Sequence, residues 1–421
     1  IHPGYGFLSE NATFARRCQE ENIIFIGPDP ETMEAMGDKI SARIKMIEAG
    51  VPVVPGTQEN LKSVEEAVEL CNKIGYPVML KASMGGGGKG MRLIHSAEEV
   101  EEAYTTAKSE SLSSFGDDTV YLEKFVEEPH HIEFQILGDK HGNVIHLCER
   151  ECSVQRRNQK IVEETPSVFV TPELRKDMGE KAVAAAKAVN TIEFLVDKHR
   201  NYYFLEMNTR LQVEHPITEE VVGVDLVKEQ IKVADGQVLQ LKQKDIQQRG
   251  HAIECRICAE DTEMNFMPSP GIIKQITEPN GIGVRIDSYV YEGYEIPIYY
   301  DPMIGKLIVW ATNREYAIER MRRVLHEYKL TGVKNNISYL RAIMDTPDFV
   351  EGHYDTGFIT KNGEHLQQCI MRTSERAENI AMIAAYMDYL MNLEENRGDA
   401  TDNRPISKWK EFGLHKGVLR I

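Results

Sequence analysis

The sequence lacks any apolar run long enough for a membrane helix, which requires about 20 predominantly apolar residues. It also lacks the basic and then apolar opening of a signal peptide, so we expect neither a membrane span nor a secretory leader. Net positive charge is absent as well, because the formal charge is −17 at pH 7. Such a surface repels nucleic acids and anionic membranes, so we expect neither as the main partner, and any phosphate site must be locally basic.

Cysteine is sparse, with seven residues at irregular positions, which fits a reducing compartment better than a disulfide framework. We therefore expect a cytoplasmic location. Cys255 and Cys258 look like half of a metal or redox site, but they lie in an alternating run that predicts a strand. Alternation places the two thiols on opposite faces, and no second cysteine pair completes a zinc site.

The 421 residues, of which 42% are hydrophobic and 27% charged, predict a globular protein of two or three domains. A strand at 23–26, one helix at 31–49 and a short strand at 51–56 precede a compact small domain at about 53–125. A larger and more antiparallel body follows from His131. Strands and helices in this order predict the α+β class. A Met- and Ala-rich helix is predicted at 374–393.

Two positions suggest that residues are missing from this numbering. The chain opens on Ile1, inside a strand-to-turn segment, so we expect further residues upstream. A helix predicted at 172–189 reaches the strand at Ile192 through Asn190 and Thr191 alone, which leaves too little chain to reverse direction. We expect residues to be absent there too.

The segment Lys81 to Gly90 reads KASMGGGGKG and follows an apolar run that predicts a buried strand. Glycines without Cβ atoms let backbone N–H groups approach phosphate oxygens, and the lysines add positive charge. The spacing matches neither the P-loop nor the dinucleotide fingerprint. A flap that closes over a nucleotide fits better, and a disordered glycine linker is the alternative.

Phosphoryl transfer from a nucleotide requires cations on the phosphates and carboxylates for Mg²⁺. Lys39, Lys81 and Lys160 are candidate phosphate or ribose contacts, although each alone would be an ordinary surface lysine. Glu193 and Glu206 each lie within an apolar strand, where a carboxylate is costly unless it is paired or binds a cation. A hairpin through residues 197–201 would aim both at one point, and Asn208 adds an amide oxygen. The alternative is a pair of structural salt bridges.

The next segment supplies an acceptor site. Arg210, Gln212 and Glu214 alternate, so they project together if the segment is extended. A guanidinium, an amide and a carboxylate suit a small, planar anion that carries a proton. Arg285, inside another apolar strand, requires a carbonyl, an enolate or a carboxylate as its partner.

Four runs identify a resemblance: His2 to Asn11, Lys81 to Gly90, Glu151 to Arg157 and Glu206 to Pro216. In this order they closely resemble biotin carboxylase, the ATP-grasp component of acetyl-CoA, propionyl-CoA and pyruvate carboxylases. The resemblance covers about residues 1–361. It implies an ATP-grasp fold with a remnant of an N-terminal α/β domain and a linker helix at 1–52, a lid domain at 53–125, and a large domain with the C-terminal biotin carboxylase domain at 126–361. A helical extension and tail would occupy 362–421.

The same resemblance assigns roles to individual residues. It implies phosphate contacts by Lys39, Lys81, Gly87 and Gly88, an adenine hinge at Glu123, Lys124 and Val126, and further nucleotide contacts by His131 and Gln155. Asn158 stands where some relatives have a histidine that contacts ribose. It implies Mg²⁺ or Mn²⁺, in two sites, on Glu193, Glu206 and Asn208. Bicarbonate would bind Lys160, Arg210, Gln212 and Val213, with Glu214 as its base. Biotin would bind Tyr5, Gly6 and Arg285, and Arg285 would stabilise the enolate-like anion of biotin.

In this family bicarbonate attacks the γ-phosphate of ATP, and the carboxyphosphate that forms supplies CO₂ to biotin. No Met-Lys-Met attachment motif is present, so biotin is expected on a separate carrier protein, with a carboxyltransferase and a second copy of the chain as further partners. We expect the chain to catalyse the biotin carboxylation half-reaction of an acetyl- or propionyl-CoA carboxylase. If the acceptor is acetyl-CoA, the enzyme would act in fatty acid biosynthesis. The alternatives are the same half-reaction in a pyruvate carboxylase, another ATP-grasp carboxylate ligase, or a regulatory or scaffold protein that binds a nucleotide without hydrolysing it.

Overall fold

The computed structural model of the chain describes residues 1–37, 39–57, 59–83, 90–186 and 191–397. By its internal contacts the chain divides into two compact units, Ile1–Leu366 and Gln367–Ile421. Helices and strands are mixed along the first unit, which confirms the predicted α+β class. Within the described residues, no helix combines the length and the apolarity that crossing a membrane requires.

The helices are α1 Ala12–Glu20, α2 Pro30–Gly37, α3 Lys39–Glu48, α4 Val64–Ile74, α5 Val100–Phe115, α6 Pro172–Ala185, α7 His215–Val222, α8 Leu226–Ala234, α9 Arg314–Glu327, α10 Ile337–Asp345, α11 Pro347–Glu351, α12 Phe358–Lys361 and α13 Gly363–Arg397. The strands are β1 Val78–Ala82, β2 Met91–Ile94, β3 Val120–Lys124, β4 His130–Gly138, β5 Val144–Arg156, β6 Gln159–Thr165, β7 Thr191–Val196, β8 Tyr202–Asn208, β9 His251–Cys258, β10 Glu260–Asp261, β11 Met267–Pro268, β12 Gly271–Ile272, β13 Gln275–Thr277, β14 Val284–Ser288, β15 Glu295–Ile296, β16 Met303–Ala311 and β17 Lys329–Thr331. Short 3₁₀ helices are Phe7–Glu10, Ala97–Glu99 and Gln243–Asp245.

A three-stranded antiparallel sheet, in the order β2-β1-β3, lies within the residues predicted as the small domain. Helices α4 and α5 pack on this sheet. Helix α4 begins where Ser63 caps the backbone N–H three residues further on, and it ends at Gly75, whose φ of 83° favours glycine. The apolar stripe of α4 places Ala67 and Cys71 in a core with Leu80.

An eight-stranded antiparallel sheet, in the order β14-β16-β9-β6-β5-β4-β7-β8, forms the body of the first unit. Helices α3 and α6 cover one face and enclose a core that includes Phe134 and Phe194. Because successive strand residues point to opposite faces, Glu193 projects away from that core. Helix α7 packs on the opposite face, where Ile217 contacts the cluster of Ala252.

The hairpin predicted around residues 197–201 is present as β7 and β8. Asp197 organises its turn, since Oδ1 accepts hydrogen bonds from the backbone N–H groups of His199 (2.8 Å) and Asn201 (2.9 Å). Glu193 and Glu206 are register partners, and a bulge follows between Glu193 and Phe194. The hairpin therefore brings the two carboxylates side by side, as the sequence predicted.

Several local predictions were wrong. Residues 23–26 form no strand, and residues 51–56 make only isolated bridges, Val53 to Phe204 and Gly56 to Glu123. By contrast, the helix predicted at 31–49 is confirmed on both sides of residue 38, by α2 and α3. Strand β6 was not predicted, because its buried Glu163 and Glu164 do not look like strand core.

The acceptor segment also differs from its prediction. It is not extended, because Glu214 is the N-cap of α7 and Pro216 occupies its first turn. The suspected gap at Asn190 and the glycines Gly85 to Gly88 lie outside the described residues. The helix predicted at 374–393 lies inside α13.

Candidate active site

A cavity of about 1350 Å³ opens on the charged face of the large sheet. Its lining comes from the start of β6, the hairpin β7 and β8, the loop before α7, strand β9, and residues 3–7. The predicted site residues that line it are Tyr5, Gly6, His131, Asn158, Lys160, Glu193, Glu206, Asn208, Arg210, Gln212, Val213 and Glu214. The cavity thus unites the predicted metal ligands with the predicted anion site.

The buried carboxylate of Glu193 is in contact with three side-chain nitrogen atoms. His131 Nε2 lies 2.7 Å from Oε2, Asn208 Nδ2 donates to Oε1 at 2.8 Å, and Lys160 Nζ donates to Oε1 at 3.0 Å. Burial alone raises the pKa of Glu193, but the charges of Lys160 and His131 outweigh it and hold the pKa well below its usual range. Glu193 is therefore ionised. With Glu206 and the Asn208 amide oxygen it offers the hard oxygen ligands that Mg²⁺ prefers.

Lys160 is the cationic centre of the cavity. Its Nζ contacts three carboxylates, Glu133 at 2.5 Å, Glu214 at 2.7 Å and Glu193 at 3.0 Å, and its side chain is 12% exposed. Burial lowers the pKa of Lys160, but the three carboxylates raise it well above its usual value. The ammonium group is therefore charged, and it shares two of these carboxylates with arginines, Glu133 with Arg150 and Glu214 with Arg256.

Glu214 lies between two cations. Its Oε1 accepts from Lys160 and its Oε2 accepts from Arg256 Nη2 at 2.9 Å. Although burial raises the pKa of Glu214, Lys160 and Arg256 lower it well below its usual range. Glu214 is therefore in the ionised form that a proton acceptor requires, and displacement of either cation by a substrate would make it more basic.

Arg256 lines the same cavity and was not predicted as a site residue. On β9 it donates from Nε to Glu163 Oε1 at 2.7 Å and from Nη2 to Glu214. The sequence signal was available, because Arg256 lies in an apolar strand like Arg285 does. The sequence analysis of that strand considered only its two cysteines, Cys255 and Cys258, and not the arginine between them.

The loop before α7 holds a second guanidinium over the cavity. Arg210 donates to Gln212 Oε1 at 3.0 Å, to Asn208 Oδ1 at 3.2 Å and to Glu10 Oε2 at 3.0 Å. Gln212 is buried, and its Nε2 has no hydrogen-bond partner among the residues that the structure describes. A buried donor without an acceptor, beside a guanidinium, is suited to an anion.

Arg285 was expected to face the acceptor, and it is not among the residues that line this cavity. Its Nη1 donates to Glu219 at 2.7 Å, and its Nε and Nη2 donate to Asp287 at 2.8 and 3.0 Å. The side chain is 32% exposed and lines a separate cavity with Glu219 and Gly223. Strand β14 lies at the edge of the large sheet, which explains why its arginine is remote from the Glu193 carboxylate.

The nucleotide residues predicted on the small sheet lie on adjacent strands. Lys81 Nζ donates to Glu123, which also accepts from Arg43 Nη1 at 2.7 Å. Lys124 Nζ instead donates to the backbone oxygen of Gly75 at 2.7 Å, and Val126 follows β3, half-buried. The structure therefore places Lys81 and Glu123 in one ion-pair cluster.

The remaining predicted nucleotide residues belong to the large sheet or lie outside the description. His131 Nδ1 and Gln155 Nε2 are 2.7 Å apart, and Asn158 occupies the turn after β5 with φ of 65°. The side chain of Lys39 lies outside the described structure, as do Gly87 and Gly88. Tyr5 lines the cavity, and the Nζ atom of Lys306 lies 5.6 Å from the centre of its ring. The same Nζ donates a hydrogen bond to the backbone oxygen of Val213 at 3.0 Å.

Three family profiles match the chain in succession. "Biotin carboxylase, N-terminal domain" matches residues 1–33, "Carbamoyl-phosphate synthase L chain, ATP binding domain" matches residues 38–242, and "Biotin carboxylase C-terminal domain" matches residues 254–361. Biotin carboxylase 2, chloroplastic, of Populus trichocarpa is 54% identical over 382 residues, which are 89% of this chain and 73% of the relative. A pyruvate carboxylase subunit of Methanothermobacter thermautotrophicus is 53% identical over 364 residues, 85% of this chain and 74% of the relative.

A solved structure matches as well. The biotin carboxylase domain dimer of Hydrogenobacter thermophilus 2-oxoglutarate carboxylase, in complex with MgADP, ADP and bicarbonate, has a TM-score of 0.84 and 50% identity. The match covers 87% of this chain and 82% of that chain. These matches, together with one cavity that joins an oxygen-rich metal site to an anion site, show that the chain belongs to the biotin carboxylase family of ATP-grasp ligases.

Proposed function

We propose that this chain uses ATP and bicarbonate to carboxylate biotin carried on a separate chain, as the first half-reaction of an acyl-CoA carboxylase. The observation that carries the proposal is the unpaired Gln212 Nε2 beside Arg210, in the same cavity as Glu193 and Glu206. Bicarbonate is a planar oxyanion that satisfies both donors. It is also small enough to lie beside a nucleotide phosphate in a cavity of about 1350 Å³.

Glu193, Glu206 and Asn208 are the residues that would hold Mg²⁺ or Mn²⁺, in two sites. The fit rests on the ionised Glu193 and on its register pairing with Glu206. Bound metal neutralises the charge that develops on the transferring phosphoryl group. The protein contributes a stiff hairpin, so that both carboxylates stay together without reorganisation.

Lys160, Arg210, Gln212 and the Val213 backbone orient bicarbonate, and Glu214 takes its proton. Proton removal makes bicarbonate oxygen a nucleophile for the γ-phosphate, with ADP as the leaving group and carboxyphosphate as the product. Carboxyphosphate then releases CO₂, and the phosphate left behind removes the proton from the biotin ureido nitrogen. That nitrogen attacks CO₂. Because Lys160 and Arg256 both contact Glu214, its basicity is set by how far the substrate draws them away.

We assign the stabilisation of the biotin anion to Arg256 rather than to Arg285. Arg256 lines the cavity beside Glu214, whereas Arg285 is paired with Glu219 and Asp287 in another cavity. A guanidinium stabilises an enolate-like oxygen only where it can contact it. Tyr5 and Gly6 line the cavity and are proposed to contact the biotin ring.

ATP is proposed to bind between the small sheet and this cavity. Lys39, Lys81, Gly87 and Gly88 would contact its phosphates, Glu123, Lys124 and Val126 its adenine, and His131, Gln155 and Asn158 the remaining polar atoms. We keep the boundaries at residues 53, 126 and 362 as the proposed limits of lid, large domain and extension. The glycine-rich residues 85–88 would belong to that lid.

A biotin carrier protein or domain and a carboxyltransferase are the proposed partners, and a homodimer the proposed assembly, in the cytoplasm. The relatives belong to differently named carboxylases, including a pyruvate carboxylase and a 2-oxoglutarate carboxylase. Membership of the family therefore does not identify the final acceptor of the carboxyl group. An acetyl- or propionyl-CoA carboxylase is our choice, and a pyruvate carboxylase is the alternative. The subunits that co-purify with the chain distinguish them.

The test is ATP hydrolysis measured with and without bicarbonate and biotin, together with transfer of labelled bicarbonate to biotin. We expect hydrolysis to require bicarbonate, to rise with biotin and to yield labelled carboxybiotin. Hydrolysis indifferent to biotin would support another ATP-grasp carboxylate ligase, and nucleotide binding without turnover would support a regulatory protein. Either result would overturn the proposal.

A further inference from the structure

Two fully buried carboxylates lie directly behind Arg256. Glu163 on β6 and Glu254 on β9 are register partners across antiparallel strands, and both are 0% exposed. The Cβ atoms of such partners are about 4.5–5.5 Å apart, so the two side chains meet on one face of the sheet. Arg256 lies two residues after Glu254 and therefore projects to the same face.

Hydrogen bonding around this pair is incomplete. Glu163 Oε1 accepts from Arg256 Nε at 2.7 Å. Glu163 Oε2 and both oxygens of Glu254 have no partner in the part of the chain that the structure describes. Three buried oxygens without donors, on neighbouring residues, are costly for two ionised carboxylates. A single proton shared between them supplies the missing donor.

We propose that Glu163 and Glu254 hold one proton between them and that this acid–carboxylate pair positions Arg256 over the cavity. Glu254 carries the proton and donates its O–H to Glu163 Oε2. Glu163 keeps one negative charge and uses Oε1 for Arg256. The role assigned to Arg256 rests on the proposed function, whereas the shared proton does not.

The charges around the pair favour this protonation. Burial raises the pKa of Glu163 to about 7, and burial and the charge of Glu163 raise the pKa of Glu254 well above its usual value. The charge of Lys306 lowers the pKa of Glu254, but the Nζ atom of Lys306 already contacts Val213 O at 3.0 Å and Asp287 at 3.2 Å. Arg256 on the same strand, Glu214 and the β6 residue Lys160 also act on the pair. Helix α7, which packs against β9, carries His215 and Glu219.

Arg256 divides its donors between the pair and Glu214, so the charge of the pair sets where the guanidinium rests. With one proton, Glu163 and Glu214 attract Arg256 equally in formal charge. Without it, the buried side would carry two charges and would draw Arg256 away from the cavity. Loss of the proton at high pH therefore weakens contact between Arg256 and the carboxylation acceptor.

Infrared spectroscopy of the intact chain tests the proton directly. Near neutral pH we expect the C=O band of a protonated carboxylic acid, with a small downshift in D₂O, and we expect Glu254→Gln to remove it. Glu164→Gln is the matched control, because Glu164 is also buried on β6 and accepts a hydrogen bond from Arg314 Nε at 2.8 Å. Burial raises the pKa of Glu164, but Arg314 and His251 outweigh it and lower the pKa to about 2, so this carboxylate is ionised. That control should keep the band. A wild-type spectrum without it would overturn the shared proton.

The pH profile of biotin carboxylation tests the positioning role. The amide in the Glu254→Gln variant cannot lose a proton, so the basic limb of its kcat profile should move upward by about one pH unit or more. A merely structural role would lower kcat without moving the limb, and an unmoved limb would overturn the positioning role. If carboxylation itself is absent while the infrared band behaves as expected, the proposed function fails and the shared proton stands.

Discussion

The two arginines Arg256 and Arg285 provide the sharpest test of the proposed chemistry. Both lie in strands of the large sheet, and lysine can replace each without loss of charge. Of the two, only Arg256 contacts the cavity carboxylate Glu214. Lysine cannot reproduce the fork that contacts Glu163 and Glu214 together, so Arg256→Lys keeps the ion pair but loses the geometry.

The expected magnitude follows from that geometry. Loss of one preorganised donor to a developing oxyanion costs about 100-fold to 1000-fold in kcat, or about 2.7–4 kcal/mol. Removing the charge altogether would leave Glu163 buried without its cation and Glu214 with Lys160 alone, at about 3–5 kcal/mol of stability, which is why lysine is the better replacement. Arg285→Lys should change kcat by less than about threefold, because its half-exposed ion pairs are screened by solvent.

The assay compares biotin-dependent carboxylation with the slow ATP hydrolysis that occurs without biotin. In Arg256→Lys we expect carboxylation to fall and the biotin-independent hydrolysis to persist, because the phosphate site is untouched. Urea unfolding of both variants checks that the folded fraction is unchanged. Full carboxylation by Arg256→Lys, together with loss in Arg285→Lys, would refute our reassignment and restore the expectation drawn from sequence.

Three further predictions concern the metal, the nucleotide and acid stability. Glu206→Gln removes one anionic ligand and should raise the Mg²⁺ concentration for half-maximal turnover at least about 10-fold; an unchanged titration would contradict its role. Lys81→Met should raise the KM for ATP about 10-fold or more, whereas Lys62→Met, an exposed position near the same sheet, should leave it unchanged. Burial lowers the pKa of His215 from 6.5 to about 3, so the unfolded chain binds the extra proton and stability falls with acidification between these values, by about 1.4 kcal/mol per pH unit. His215→Asn should remove that slope from urea unfolding; parallel pH dependences would refute it.

The local signals in the sequence were sufficient for the hairpin that carries the metal ligands. Its strands are adjacent in sequence and Asp197 closes the turn through its own backbone neighbours, so few long-range contacts are needed. The same holds for α4, because the residues that begin and end it, Ser63 and Gly75, can be recognised from the sequence of the helix itself. For α7, the signals of Pro216 and Gly223 were present, but the alternation of polar residues before it suggested an extended segment.

The family motifs in the sequence determined which protein family this is and most of the residues in its cavity, because those residues cluster in short runs whose chemistry is legible. Tertiary structure alone decided which strand arginine enters the cavity. Arg256 and Arg285 have similar apolar neighbours, but β9 lies inside the sheet between β6 and β16, whereas β14 is at its edge. The partners of Glu163, Glu164 and Arg256 are about 40 to 190 residues distant in sequence, so no local pattern could reveal how these buried charges are paired.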